Sequence, residues 1–236
     1  MKYLNDFVTD LQDDLGSRLL SVFVFGAKAN SNDQNMHKNV DVFVIIDDYK
    51  TDDLYKLMPI VKKWILLGNP CPVIMPKEEF KKNVSSFAIE YSDLKWNNQL
   101  IFGDDYLKEI NIDYFDLRNQ CERELKRIIL RVRDFYFEHG TSKKETIKFA
   151  NAVARSIVVV FRAILRINSV TPSVYKHDVV DQLAKLIKFD KLYFKKMIES
   201  KEGTYKYTPS EVADLCNYLS SQLIFILNKF TETSGS

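Results

Sequence analysis

Asp41 stands alone among branched aliphatics in the run VDVFVII, and Asn39 precedes it by two residues. An earlier apolar run, LLSVFVF, ends at Gly26, and residues 27–38 form a polar connection between the two. Residues two apart on a strand share a face, so oxygen ligands at positions 39 and 41 are placed to hold one divalent cation. Such cations neutralise phosphate charge and activate an attacking oxygen, which is the chemistry of phosphoryl and nucleotidyl transfer. A glycine at a strand end lets the backbone approach a triphosphate, and the amides of a polar loop can face it. Asn39 is a neutral amide and a weaker ligand than a carboxylate, which leaves Asp41 as the acid of the pair. Lys28 lies close enough to Gly26 in sequence to reach a phosphate, although a lone loop lysine is ordinarily solvated. His37 has no second histidine to make a metal site with it.

The elements that must position these residues follow from periodicity. Leu4, Phe7, Val8, Leu11 and Leu15 recur at helical spacing and Gly16 stops them. LLSVFVF and VDVFVII are short, β-branched and bounded by turn formers, so both read as strands. Thr51, Asp52 and Asp53 open a helix toward Trp64 and Leu67, with Pro59 expected to kink or divide it. CPVIM is a third strand, KEEFKK a short helix, SFAIEY a fourth strand by alternation and NQLIFG a fifth.

After about Asp113 the pattern becomes helical. Leu117, Cys121, Leu125, Ile128 or Ile129, Val132 and Phe135 form one stripe of a long helix ending at His139 and Gly140. Residues 146–167 make a second helix, apolar nearly all round and so central to a bundle, and three shorter helices follow. The last begins at Pro209, with Thr208 or Ser210 as its cap. Arg155, Arg162 and Arg166 share one side of the apolar helix, and a buried guanidinium requires a carboxylate or phosphate. That row either lines a cleft between the halves, with Arg162 as a phosphate contact, or pairs with acids of neighbouring helices.

With 236 residues, a net charge of +2 and a hydrophobic fraction of 46%, the chain reads as globular without the electrostatic footprint of a long-polyanion binder. Three scattered cysteines give neither a disulfide framework nor zinc spacing. No run reaches the length of a spanning helix, so a cytoplasmic location is expected.

Gly26 at the end of VFVF, the polar connection and NVDVFVI resemble the Gly-Ser, long loop, Asp-hydrophobic-Asp signature of the DNA polymerase beta superfamily of nucleotidyltransferases. Residues 102–140 are similar to the junction in small bacterial members where such a domain passes into a helical bundle. The resemblance implies an α+β fold: a nucleotidyltransferase-like mixed sheet flanked by helices over residues 1–112 and a helical bundle over 113–232; the small, polar residues 233–236 read as a disordered tail. It also implies a third carboxylate from a later strand, for which Glu90 in SFAIEY is the first choice and Asp93 the second. The signature is degenerate, because Ala27 replaces the serine and Asn39 the first aspartate.

The function so implied is binding of a nucleoside triphosphate with magnesium between the two halves, and weak nucleotide transfer to a small-molecule or protein hydroxyl. Asp41 and Glu90 would be the metal-binding, catalytic acids; Gly26, Ala27, Lys28, Asn39 and Arg162 would contact the nucleotide. The alternative is a catalytically inactive homologue serving as a ligand-sensing or protein-interaction module. No membrane or nucleic-acid partner is expected, and a homodimer is left open. Arg133 and His139 match the spacing of HEPN-type ribonucleases, but a histidine at a helix end is accounted for by the terminal carbonyls it meets.

Overall fold

The computed structural model describes residues 2–26, 29, 39–140 and 142–232. They belong to two compact units, Met1–Asp113 and Tyr114–Ser236. The fold is α+β, with a mixed sheet and flanking helices in the first unit and helices alone in the second.

In the first unit, α1 (Lys2–Leu15) buries Leu4, Phe7, Leu11 and Leu15 and ends at Gly16, whose φ is +56°. Strands β1 (Leu19–Phe25) and β2 (Asp41–Ile46) pair antiparallel. β3 (Val73–Pro76) runs parallel to β2, and β4 (Asn98–Gly103) pairs antiparallel with β1, giving the order β3-β2-β1-β4. Helix α2 (Asp53–Leu66) joins α1 over one face, where Val22, Val24, Val42 and Val44 meet Leu57 and Trp64. Helices α3 (Lys77–Lys82) and α4 (Ala88–Trp96) serve the other face, where Phe23, Phe43 and Ile45 meet Phe80, Tyr91 and Leu94. With both faces covered, the inner strands have to be apolar at nearly every position, as LLSVFVF and VDVFVII are.

Two expectations need correction. SFAIEY is not a strand: a turn over residues 83–87 leads into α4. The buried positions Ala88, Ile89, Tyr91, Ser92 and Leu94 follow a helical period, which a short run with alternate apolar residues cannot reveal by itself. The sheet therefore has four strands among the described residues. Pro59, in turn, does not divide its helix, since α2 continues from Asp53 to Leu66. The carbonyl that loses its donor belongs to Tyr55, on an exposed turn where water can satisfy it.

The start of β1 is tied to α2 by a long-range ion pair. Arg18 Nη1 and Nη2 donate to Asp53 Oδ2 and Oδ1 at 2.7 and 3.0 Å, and Lys50 N–H donates to Oδ2 at 2.8 Å. Asp53 is only 1% exposed, so this bidentate pairing compensates the desolvation of its charge. At the same end of β1, Gly103 has φ +76° and a Cβ there would lie 1.8 Å from the Leu20 carbonyl oxygen. Only glycine fits where β4 leaves β1.

In the second unit, α6 (Lys143–Ile167) packs against α5 (Tyr114–His139), α7 (Lys176–Ile187), α8 (Leu192–Glu202) and α9 (Pro209–Glu232). Its central place explains why it is apolar nearly all round. Thr208 caps α9: its Oγ1 accepts the Glu211 N–H at 3.3 Å, while Glu211 Oε2 accepts the Thr208 N–H at 2.8 Å. Glu211 also accepts from Lys196 and from the Tyr205 hydroxyl, and these donors hold its carboxyl at about 2.

The Arg18 guanidinium, followed by the Lys50 amide, lowers the Asp53 carboxyl from 3.8 to about 2 against the opposing effect of burial. A depressed folded value contributes stability that is complete above the unfolded value and fades as pH falls toward the folded one. The contribution is about 2 kcal/mol. Urea unfolding should find Asp53→Asn less stable than wild type at neutral pH by at least this much, with the gap closing between about pH 4 and pH 2; a gap independent of pH would contradict the assignment. Gly103→Ala should lose at least about 2 kcal/mol in the same measurement, because a left-handed angle and a backbone clash combine.

Candidate functional site

Phe25, the last residue of β1, is paired with Asp41 of β2 on one side and with Asn98 of β4 on the other. Three strand ends therefore meet at one edge of the sheet. Gly26 follows in the left-handed region with φ +74°, and a Cβ at this position would stand 3.5 Å from Asp41 Oδ2. The carboxylate thus faces the turn that ends β1. Strand alternation puts Asp41 on the same side as Phe43 and Ile45, the side covered by α3 and α4. The Gly26 N–H donates to the Asn97 carbonyl at 2.9 Å, so this glycine contributes the shape of the turn and not its own amide.

Asn39 lies outside β2, exposed, with φ +57°. Position 39 is therefore not in register with Asp41 as a strand residue. An asparagine tolerates this backbone angle better than most residues. Its N–H donates to the Gly68 carbonyl at 3.2 Å, and the Val40 N–H donates to Asn69 Oδ1 at 3.1 Å. Those contacts, together with the parallel register Phe43↔Val73, bracket Cys71 beside Asp41. Cys71 is a free, exposed thiol, whereas Cys121 and Cys216 are free and buried. The segment that leads into β3 carries this thiol.

Glu90, expected on a strand, is an exposed residue in the first turn of α4. Its presumed relation to Asp41 through strand geometry is therefore lost. One turn further, Asp93 is half-buried and its Oδ1 accepts from Asn97 Nδ2 at 2.9 Å. Asn97 is buried, and its own N–H caps the helix on the Asp93 carbonyl at 2.9 Å. The α4–β4 junction thereby brings Asn97 to the Gly26 turn, with the Asp93 carboxylate bonded to the Asn97 side chain. Sequence reading ranked Asp93 second and missed Asn97. The available signal was an acid four residues before an asparagine at a helix end, a spacing that lets the two side chains meet.

Arg162, expected at a phosphate, is buried within the helical unit and its Nη2 donates to the Val174 carbonyl at 3.0 Å. Arg155 is exposed and Arg166 half-buried, so the row does not present one uniform surface. His139 closes α5 with its ring 4.9 Å from that of Phe135, as a helix-end residue. Ala27, Lys28, His37 and the tail at 233–236 lie outside the described residues.

Among the described residues, no group of three or more histidine, cysteine, aspartate and glutamate side chains could hold a metal ion. Magnesium usually keeps several waters and binds through one or two carboxylates together with substrate phosphates. Asp41 suits that kind of shared coordination; a cation held by protein ligands alone is not matched by these side chains. No described helix is long and apolar enough to cross a membrane.

No protein-family model matches the chain, and no curated protein sequence matches it. Among solved structures, the chain is similar to the crystal structure of spectinomycin adenyltransferase AAD(9) from Enterococcus faecialis with ATP and spectinomycin. The TM-score is 0.58 at 15% sequence identity, and the match covers 94% of this chain and 98% of that one. The chain therefore shares the fold of a nucleotidyltransferase across almost its whole length.

Proposed function

We propose that the chain binds a nucleoside triphosphate, with magnesium, at the end of β1, and that any transfer it catalyses is of a nucleotide to a hydroxyl of a small molecule. The observation carrying this reading is the Asp41 carboxylate facing the left-handed Gly26 turn. The ATP and spectinomycin bound by the structural neighbour favour ATP and a small-molecule acceptor. In such a transfer the acceptor oxygen attacks the α-phosphorus, its proton passes to a base, and pyrophosphate leaves. Magnesium, when bound, would neutralise the phosphate oxygens. Asp41 would hold that cation near the turn, and Gly26 would let the backbone come close to the phosphates.

Slow transfer is expected. Asn39 supplies no carboxylate, and Cys71, in the segment leading into β3, supplies a soft thiol where a hard oxygen ligand would suit magnesium better. These two residues favour a second reading, a homologue that binds the nucleotide as a sensor without turnover.

Cys71 provides a direct test because it is the exposed cysteine of the three. Magnesium and ATP should slow maleimide labelling of Cys71 several-fold, and Asp41→Asn should weaken that protection by about tenfold in ATP concentration. Equal labelling rates with and without nucleotide would overturn the reading. Protection without pyrophosphate release, across a panel of aminocyclitol and sugar acceptors, would select the sensor; release that depends on an acceptor would select the enzyme.

A further inference from the structure

Helix α2 carries two apolar faces, and the core accounts for one of them. Leu57, Ile60 and Trp64 turn inward and pack with α1 and the strands. Leu54, Met58, Val61 and Ile65 recur at steps of four, three and four residues, the spacing of a seam between two helices. This second row points outward. Leu54, Met58 and Ile65, with Tyr55 and Leu66 beside them, keep between 42% and 86% of their surface exposed, and Val61 is half-buried. A surface helix ordinarily has one apolar stripe for the core and polar groups opposite it, so the outer row needs a partner of its own. We propose that it is the contact between two copies of this chain, paired about a two-fold axis with their α2 helices antiparallel. No part of that contact involves Asp41 or the Gly26 turn.

A two-fold contact requires a surface that is its own complement, and an aliphatic row at seam spacing meets that requirement, because its side chains fit between those of an identical row. Electrostatics sets the direction. The partial charges at helix ends attract when two helices run antiparallel. Around the start of α2, Asp47, Asp48 and Asp52 outnumber Lys50 and Lys56, and Asp53 is paired with Arg18; Lys62 and Lys63 stand toward its end, where the helix itself has no acid, although Lys63 is bonded to Asp10 of α1. Antiparallel pairing brings the basic end of one copy toward the acidic approach of the other, whereas parallel pairing sets like charges together. Leu54 then meets Ile65 of the partner subunit, and Met58 and Val61 lie next to the axis. The five exposed side chains present on the order of 500 Å² of apolar surface, below the roughly 800 Å² that each partner of a standard interface contributes. The dimer is accordingly a reversible one, with a Kd of about 1–100 μM.

Sedimentation velocity of the full chain, from low to high micromolar concentration, should show monomer passing into dimer. Met58→Glu puts a charge beside the axis and should weaken the dimer by at least about tenfold. Because Met58 is exposed in the single chain, the fold should survive the change, as urea unfolding would show; where it does not, Leu54→Glu, at a more exposed position of the same row, gives the second reading. Direction is tested separately by cross-linking in a Cys71→Ser background, with copper phenanthroline as oxidant. A mixture of Leu54→Cys and Ile65→Cys chains should form disulfide-linked dimers, and neither chain should do so alone, since eleven residues of helix separate the two positions. A chain that stays monomeric at every concentration overturns the proposal, and that outcome would assign the outer row to a different partner. A dimer that keeps wild-type affinity in the folded Met58→Glu or Leu54→Glu variant overturns it as well. Cross-linking of Leu54→Cys to itself, without cross-linking to Ile65→Cys, overturns the antiparallel arrangement.

Discussion

The central position of β1 governs what the first unit can do. A strand paired on both edges must surrender its backbone groups to its neighbours, and the antiparallel pairing aligns the end of β1 with the beginnings of β2 and β4. Three chain segments that are distant in sequence are therefore delivered to one edge of the sheet. The left-handed Gly26 turn occupies the middle, with Asp41 on one flank and the α4–β4 junction on the other. Chemistry at this edge depends on that pairing register, since a slip of one residue would turn Asp41 toward α1 and α2.

Holding the register is the task of contacts well away from the edge. Arg18 and Asp53 clamp the start of β1 to α2, and Gly103 allows β4 to cross Leu20 at a distance no side chain permits. Gly68 and Asn69 engage the residues that lead into β2, so the approach to Asp41 is fixed by hydrogen bonds as well as by packing. The same approach makes Asn39 left-handed and removes it from the strand. The residue two before Asp41 thus differs from it in backbone state as well as in charge.

Sharing a fold with an adenyltransferase supplies a scaffold, and the side chains at the edge decide what it does. Asp41 faces the glycine turn that ends β1. The thiol of Cys71 and the amide of Asn39 depart from a full set of hard oxygen ligands. Asp93, which accepts from the Asn97 side chain, lies on a helix and not on a strand.

Local physics was sufficient for much of the architecture. Apolar periodicity marked α1, the two inner strands and the long helices of the second unit, and turn chemistry marked Gly16, Gly26 and the Thr208 cap. Asp41 was visible because an acid in an apolar strand requires a reason. SFAIEY failed because six residues with alternate apolar side chains satisfy a strand and a helix almost equally, and burial from two sides is a tertiary property. The roles of Asp53 and Asn97 likewise depend on partners 35 and 71 residues away in Arg18 and Gly26. The sequence alone determined which segments were stiff, apolar and extended or helical, because those preferences are set by neighbouring residues. Only the tertiary structure decided which polar groups share the edge of the sheet, because strand register and helix placement are fixed by long-range packing.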